Sequence, residues 1–346
     1  MTGTSGSNGS RRADRARDAL RAAARYVIEA QQPDGAWLDF ELDRTPSDAW
    51  VTGYAGLGLL AARAALPGAM PSADAALRGA RAWLLRACEG RGGWGFNAHA
   101  PVDADSTALA TTFLASTGGA PAAAYDTLRR HRHDDGGYSC YERFSDVSTW
   151  AVSHGDVSAT ALRALLTEPA RDTESIERCA RYLAEQQLGD GSWPSFWYTT
   201  RAYSVAFVLD ALHALGARHR LDAREALREN GAALLALHRL EAAVRFACDD
   251  VPRDDAFALA LALETVARFG DAADAAALLD DLLALQRIDG RFTAAVPFMR
   301  PDPWNYEDGD PQASVLDPFG LFTTATALRA LAAVVLRAST PEAVHA

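Results

Sequence analysis

Gln31-Gln32-Pro33-Asp34-Gly35-Ala36-Trp37 and Gln186-Gln187-Leu188-Gly189-Asp190-Gly191-Ser192-Trp193 are two copies of one motif. Weaker copies follow the same plan: Gly92-Gly93-Trp94, Asp135-Gly136-Gly137-Tyr138 and Gln286-Arg287-Ile288-Asp289-Gly290-Arg291-Phe292. Each copy ends a stretch of helical periodicity and precedes a loop leading to another such stretch. Glycine makes the turn and the aromatic packs back over it, so Trp37, Trp193 and Phe292 read as structural residues. A period of roughly 50 residues with two helices per unit is the mark of a repeat architecture.

Apolar periodicity places six helices before the turns, over 15–30, 73–87, 122–131, 175–185, 223–237 and 272–285. Six more follow the turns, over 51–64, 106–117, 157–166, 202–215, 255–269 and 322–336. The second set is small and apolar on all faces, which marks it as the buried set. Alternating outer and inner helices close into an all-α, two-layer (α/α)6 barrel. Residues 1–12, opening on a Gly/Ser/Thr run, read as a disordered tail, and 13–346 as a single barrel domain.

Composition narrows the function. The net charge of −11 argues against nucleic acid, whose phosphates require a basic face. All 34 basic residues are arginine, which excludes a Walker-type phosphate loop, a Schiff-base lysine and a lysine general base. Cys88, Cys140, Cys179 and Cys248 are scattered, as expected of reduced thiols in a cytoplasmic protein. No signal peptide is evident and no apolar run reads as a bilayer span, leaving peripheral membrane contact open. Oligomeric state has no signature in the sequence.

The chemistry-bearing stretch is Asp103-Ala104-Asp105-Ser106-Thr107, entered from Gly92-Gly93-Trp94-Gly95-Phe96 and leading into the apolar run 108–115. An aspartate opening such a helix either caps it near water or sits at the end of a dry cavity holding a proton. In the second case it is a Brønsted acid. Three further segments accompany it in order: Trp50-Val51-Thr52-Gly53, Asp156-Val157-Ser158-Ala159-Thr160, and Gly191-Ser192-Trp193 followed by Trp197 and Tyr203.

These segments, with the repeats, resemble the Q-W repeats, acid motif and ordered cavity segments of the class II terpene cyclases of the squalene–hopene and oxidosqualene cyclase superfamily. The likeness runs from about Trp50 to Leu215 and more loosely to the C-terminus. It implies a single β-type barrel domain without the γ domain that usually accompanies it. By resemblance Asp105 delivers the proton, Asp103 is its first partner, and Tyr203 and Tyr141 hydrogen-bond around the acid. Trp50, Phe96, Trp150, Trp197 and Phe322 line the substrate cavity, together with Ser106 and Asp156. Aromatic faces stabilise a passing cation by up to about 2 kcal/mol each when dry, without trapping it.

Two positions depart from the family pattern: Ser106 stands for a third aspartate, and Thr160 for the histidine that sharpens the acid. The expected donor therefore depends on desolvation and neutral hydrogen bonds. The expected activity is cyclisation of a linear isoprenoid, with no cofactor required and Mg2+ needed only to hold a diphosphate tail. A barrel that binds a prenyl compound or a protein without turnover is the rival reading. A protein prenyltransferase subunit is a third, weakened because no Asp-x-Cys zinc pair is present.

Four other features invite function. Asp249-Asp250-Val251-Pro252-Arg253-Asp254-Asp255 is acidic, but Pro252 breaks the helix a magnesium motif needs, so an acidic helix start is simpler. Arg143, Arg201, Arg245 and Arg300 sit near loop ends, either holding a diphosphate or pairing with surface acids. His154 reads as a solvated loop residue, and the irregular stretch 297–319 as a lid or a surface excursion.

Overall fold

The computed structural model describes residues 5–42, 45–142, 148–168, 170, 172–218, 237–293, 296–301 and 314–339. Among these, outer helices α1 (Ser5–Glu29), α3 (Pro71–Ala87), α5 (Ala122–Arg130), α7 (Thr173–Glu185), α9 (Leu237–Asp249) and α11 (Ala272–Ala284) alternate with inner ones. The inner set is α2 (Ala49–Ala65), α4 (Ala104–Ser116), α6 (Gly155–Leu165), α8 (Arg201–Arg218), α10 (Ala256–Phe269) and α12 (Leu321–Ser339). Each inner helix packs on the next, and α12 on α2 closes the ring. Their small residues allow this: a Cβ at Gly58 of α2 would lie 2.5 Å from Ala325 O of α12.

The repeat motif explains both layers. The indole N–H of Trp37, Trp94 and Trp193 donates to Val27 O, Leu84 O and Leu183 O at 2.7, 2.9 and 2.6 Å, stapling each turn to its outer helix. The amides of Trp37, Trp94, Tyr138 and Phe292 donate to Thr52, Thr107, Ser158 and Thr324 hydroxyls at 2.8–3.1 Å, tying the turn to the inner helix. The glutamines link neighbouring repeats. Nε2 of Gln31, Gln187 and Gln286 donates to Ala76 O, Arg239 O and Ala19 O on the next outer helix, at 2.8, 3.0 and 3.0 Å. The last of these joins α11 back to α1. Gly191 has φ +90° and its absent side chain leaves room for the backbone of Ala242 in α9.

Four expectations change. The outer helix expected over 223–237 falls almost wholly outside the described residues, and α9 occupies that place in the ring. The tail expected over 1–12 is helical from Ser5, and Arg12 and Arg15 pair with Asp280 of α11 at 3.2 and 2.7 Å. Helix α12 is long and apolar enough to cross a membrane by length and composition, yet it is an inner helix packed between α10 and α2. Two short antiparallel ribbons join the helices: β1 (Asp39–Leu42) with β2 (Thr45–Ser47), and β3 (Phe298–Met299) with β4 (Ser314–Val315). Strands β3 and β4 come from the ends of the 297–319 stretch, whose residues 302–313 lie outside the described set.

Candidate active site

The two aspartates of the acid motif separate at the start of α4. Asp103 is the N-cap, in extended conformation (φ −127°, ψ 161°), and accepts from both the amide and the hydroxyl of Ser106 at 2.7 Å. Ser106 therefore fastens Asp103 while lying on the cavity wall. Asp105 makes no cap. Its Oδ2 accepts from Trp50 Nε1 at 2.8 Å and its Oδ1 from Thr160 Oγ1 at 2.7 Å.

Burial decides the charge of this pair. Asp105 is pushed up to about 7, chiefly by desolvation and further by the charges of Asp103 and Asp156, against the Thr160 and Trp50 donors. Asp103 rises to about 6 for the same first reason, held down by its bonds from Ser106. Thr160 accommodates either form of Asp105. Its Oγ1 also lies 2.9 Å from Val157 O. A hydroxyl has one proton: it donates to the carboxylate, or it donates to Val157 O and accepts from the protonated acid.

Asp105 opens on a cavity of about 390 Å³ at the end of the barrel where the inner helices begin, within the size range of small-molecule sites. Its walls are aromatic. Trp50 meets Phe298 edge-on at 5.1 Å, Phe40 packs on Phe298 at 4.3 Å, Trp150 on Trp197 at 5.3 Å and Tyr141 on Trp150 at 5.7 Å. Phe96, Tyr198, Met299 and Val315 also line it, and Thr45, Asn97, His99 and Arg300 are among its polar side chains. The Arg300 guanidinium lies 5.6 Å over the Trp150 ring.

Three expected site residues take other places or other bonds. Phe322 is buried behind the wall, stacked on Trp50 at 4.8 Å and on Tyr54 at 4.0 Å. Asp156 does not line the cavity. Its Oδ2 accepts from the amides of Phe196 and Trp197 at 2.8 and 3.0 Å, which aims Trp197. Tyr203 stacks on Tyr198 at 3.4 Å and on Phe207 at 4.1 Å, and its hydroxyl makes no hydrogen bond to Asp105. Thr160 stands where it was expected, as a partner of Asp105. Tyr141 faces the cavity near Asp103.

The remaining candidates resolve similarly. His154 is not solvated: it stacks on Phe196 at 3.6 Å, and burial lowers its pKa. Arg201 pairs with Asp190 at 3.1 Å and Arg245 is exposed, whereas Arg143 lies outside the described residues. Asp255 caps α10, accepting from Phe257 N at 2.9 Å.

Phe40, Tyr198, Phe298 and Cys140 are wall residues that reading the sequence missed. A signal existed within the repeat. Each turn aromatic (Trp37, Trp94, Tyr138, Trp193, Phe292) is followed two to six positions on by a cavity aromatic (Phe40, Phe96, Tyr141, Trp197, Phe298).

A larger cavity of about 1610 Å³ occupies the other end of the barrel and reaches up to Thr160. Its chemistry is ionic: Asp210 pairs with Arg268 at 2.6 Å and with Arg163 at 3.1 Å, and Glu264 with Arg329 at 2.9 Å. These arginines hold Asp210 well below the usual carboxylate range despite its burial. Such a charged lumen does not suit an apolar chain or a cation, so the aromatic cavity is the candidate site.

No protein-family model matches the chain, and no curated protein does. Solved structures do. The type II terpene cyclase MstE from Scytonema, in complex with its substrate geranylgeranyl dihydroxybenzoate, is 24% identical with a TM-score of 0.77, over 95% of this chain and 99% of that one. A protein from Actinoplanes is 28% identical, with a TM-score of 0.72 over 93% of this chain and 99% of its own. The ent-copalyl diphosphate synthase of Streptomyces platensis is 20% identical, with a TM-score of 0.59, over 82% of this chain and 50% of the longer one. The chain has the α/α-barrel fold of the type II terpene cyclases.

Proposed function

We propose that the chain is a class II terpene cyclase in which Asp105 protonates a terminal alkene or epoxide of a linear isoprenoid. The observation that carries this reading is a buried carboxyl, raised to about 7, that accepts from the Trp50 indole and the Thr160 hydroxyl at an aromatic cavity. Such a group keeps its proton closer to neutral pH than an ordinary carboxyl, a condition for a general acid. As the proton leaves, the carboxylate is stabilised by Trp50 N–H and Thr160 O–H, both already in place. The new cation runs along the faces of Trp50, Phe96, Trp150 and Trp197, which offer π density and no nucleophile. Exclusion of water protects it from quenching.

Arg300 suits an anionic head group on the isoprenoid, such as the dihydroxybenzoate that MstE binds or a diphosphate. Mg2+ would enter with a diphosphate, since no cluster of three metal-ligating acids, histidines or cysteines occurs among the described residues. The four unpaired thiols agree with work in the cytoplasm.

The test is incubation of the purified protein with geranylgeranyl dihydroxybenzoate, prenyl diphosphates, prenyl alcohols and epoxides, followed by product analysis. Cyclic products from the wild type and none from Asp105→Asn are expected. Cyclisation by Asp105→Asn would overturn the proposal, and tight binding without turnover would favour the non-catalytic barrel.

A further inference from the structure

We infer that His99 is the base that ends the cyclisation, taking the proton lost by the last carbocation. This rests on the cyclase reading and extends it from the first step to the final one. When the product is an alkene, a C–H bond next to the cationic carbon breaks and its electron pair becomes the new π bond. The proton needs an acceptor. Asp103 and Asp105 are buried and dry at the acid end, whereas His99 is exposed. Among the described residues lining the cavity, His99 alone joins a basic nitrogen to solvent. The imidazole takes the proton on a ring nitrogen and passes it to water, so no charge accumulates.

The surroundings fit that task. Asn97 is buried, and its Oδ1 accepts from the amides of His99 and Ala100, both at 3.0 Å. Its Nδ2 donates to Pro46 O at 3.3 Å, and Arg91 grips the same loop through Ala98 O and Ala100 O at 3.2 and 2.5 Å. A firmly held loop keeps the imidazole at a defined place relative to the cavity. Asp48, the N-cap residue of α2, accepts from Ala98 N at 3.3 Å and lies within electrostatic reach of His99.

His99→Gln and His99→Ala would be compared with the wild type on geranylgeranyl dihydroxybenzoate and geranylgeranyl diphosphate, with products resolved by double-bond position. For His99→Gln the wild-type alkene should fall about 100-fold, the reach of one general base. Substrate consumption should stay within about threefold, because Asp105 still starts the reaction, with alcohols and isomeric alkenes taking the lost share. In His99→Ala, added imidazole should restore the wild-type alkene. An unchanged product distribution in His99→Gln, or an equal fall in consumption and alkene, overturns the inference and leaves the cyclase reading standing. A wild-type protein that converts neither these probes nor the wider panel overturns both.

Discussion

Asp103 and Asp105 stand two positions apart, and the cap explains why they differ. Asp103 spends its lone pairs on Ser106, while Asp105, one step into α4, turns its carboxyl to Trp50 and Thr160. A protonated acid near pH 7 follows, and with it a pH dependence: initiation should fall as pH rises through about 7, measured as the rate of cyclisation. Thr160→Val removes a donor to the charged form, so that alkaline limb should move to higher pH, with Thr160→Ser restoring it. Stability carries the same sign. An acid whose pKa rises on folding adds stability below its unfolded value near 4 and loses it as pH climbs through the folded value. Asp105→Asn should therefore be more stable than wild type at pH 8, by about 4 kcal/mol, with the gain gone near pH 4. Thermal unfolding at the two pH values checks this. The acid was legible in the sequence; the bond from the Trp50 indole was not, because residues 55 positions apart meet only through the packing of α2 on α4.

At the scale of the element, the turn between an outer and an inner helix is the unit that builds the barrel. Its glutamine reaches the next outer helix, its indole the previous one, and its aromatic amide a hydroxyl on the inner helix. The repeat was readable because each contact requires one residue type at one place. Gly191→Ala should destabilise by 2 kcal/mol or more, since it adds a positive-φ penalty and a collision with Ala242, as chemical denaturation would measure. Gln286→Ala should cost about 1–2 kcal/mol by removing the bonds to Ala19 O and Gly290 O that join α11 to α1 and to its own turn. The ribbons β1–β2 and β3–β4 were not readable. Two to four residues cannot establish an alternating pattern, and these strands exist because Phe40 and Phe298 pack on each other across the cavity wall.

Across the whole molecule, ring closure brings the two ends of the chain together. Asp39 of β1 accepts from Phe322 N and Asp317 from Thr323 N, both at 2.8 Å, so two carboxyls meet at the start of α12. Burial, with Asp317 beside it, raises Asp39 to about 9. The protein should lose stability as pH rises through 9, and Asp39→Asn should flatten that loss in melts between pH 7 and 10. The pair also ties β1, which carries Phe40, to α12, whose Phe322 backs Trp50 and hence Asp105.

The sequence by itself determined the alternation of helices and the turns between them, because periodicity and glycine act over a few residues, while its resemblance to the class II cyclases singled out Asp105. It placed Phe322 and Asp156 on the cavity wall and left out Phe40, Tyr198 and Phe298. Which side chains face the cavity depends on how the ring closes and how the ribbons fold over its end. Those are contacts between residues as far apart as Asp39 and Phe322, and the same packing decides whether Asp105 keeps its proton.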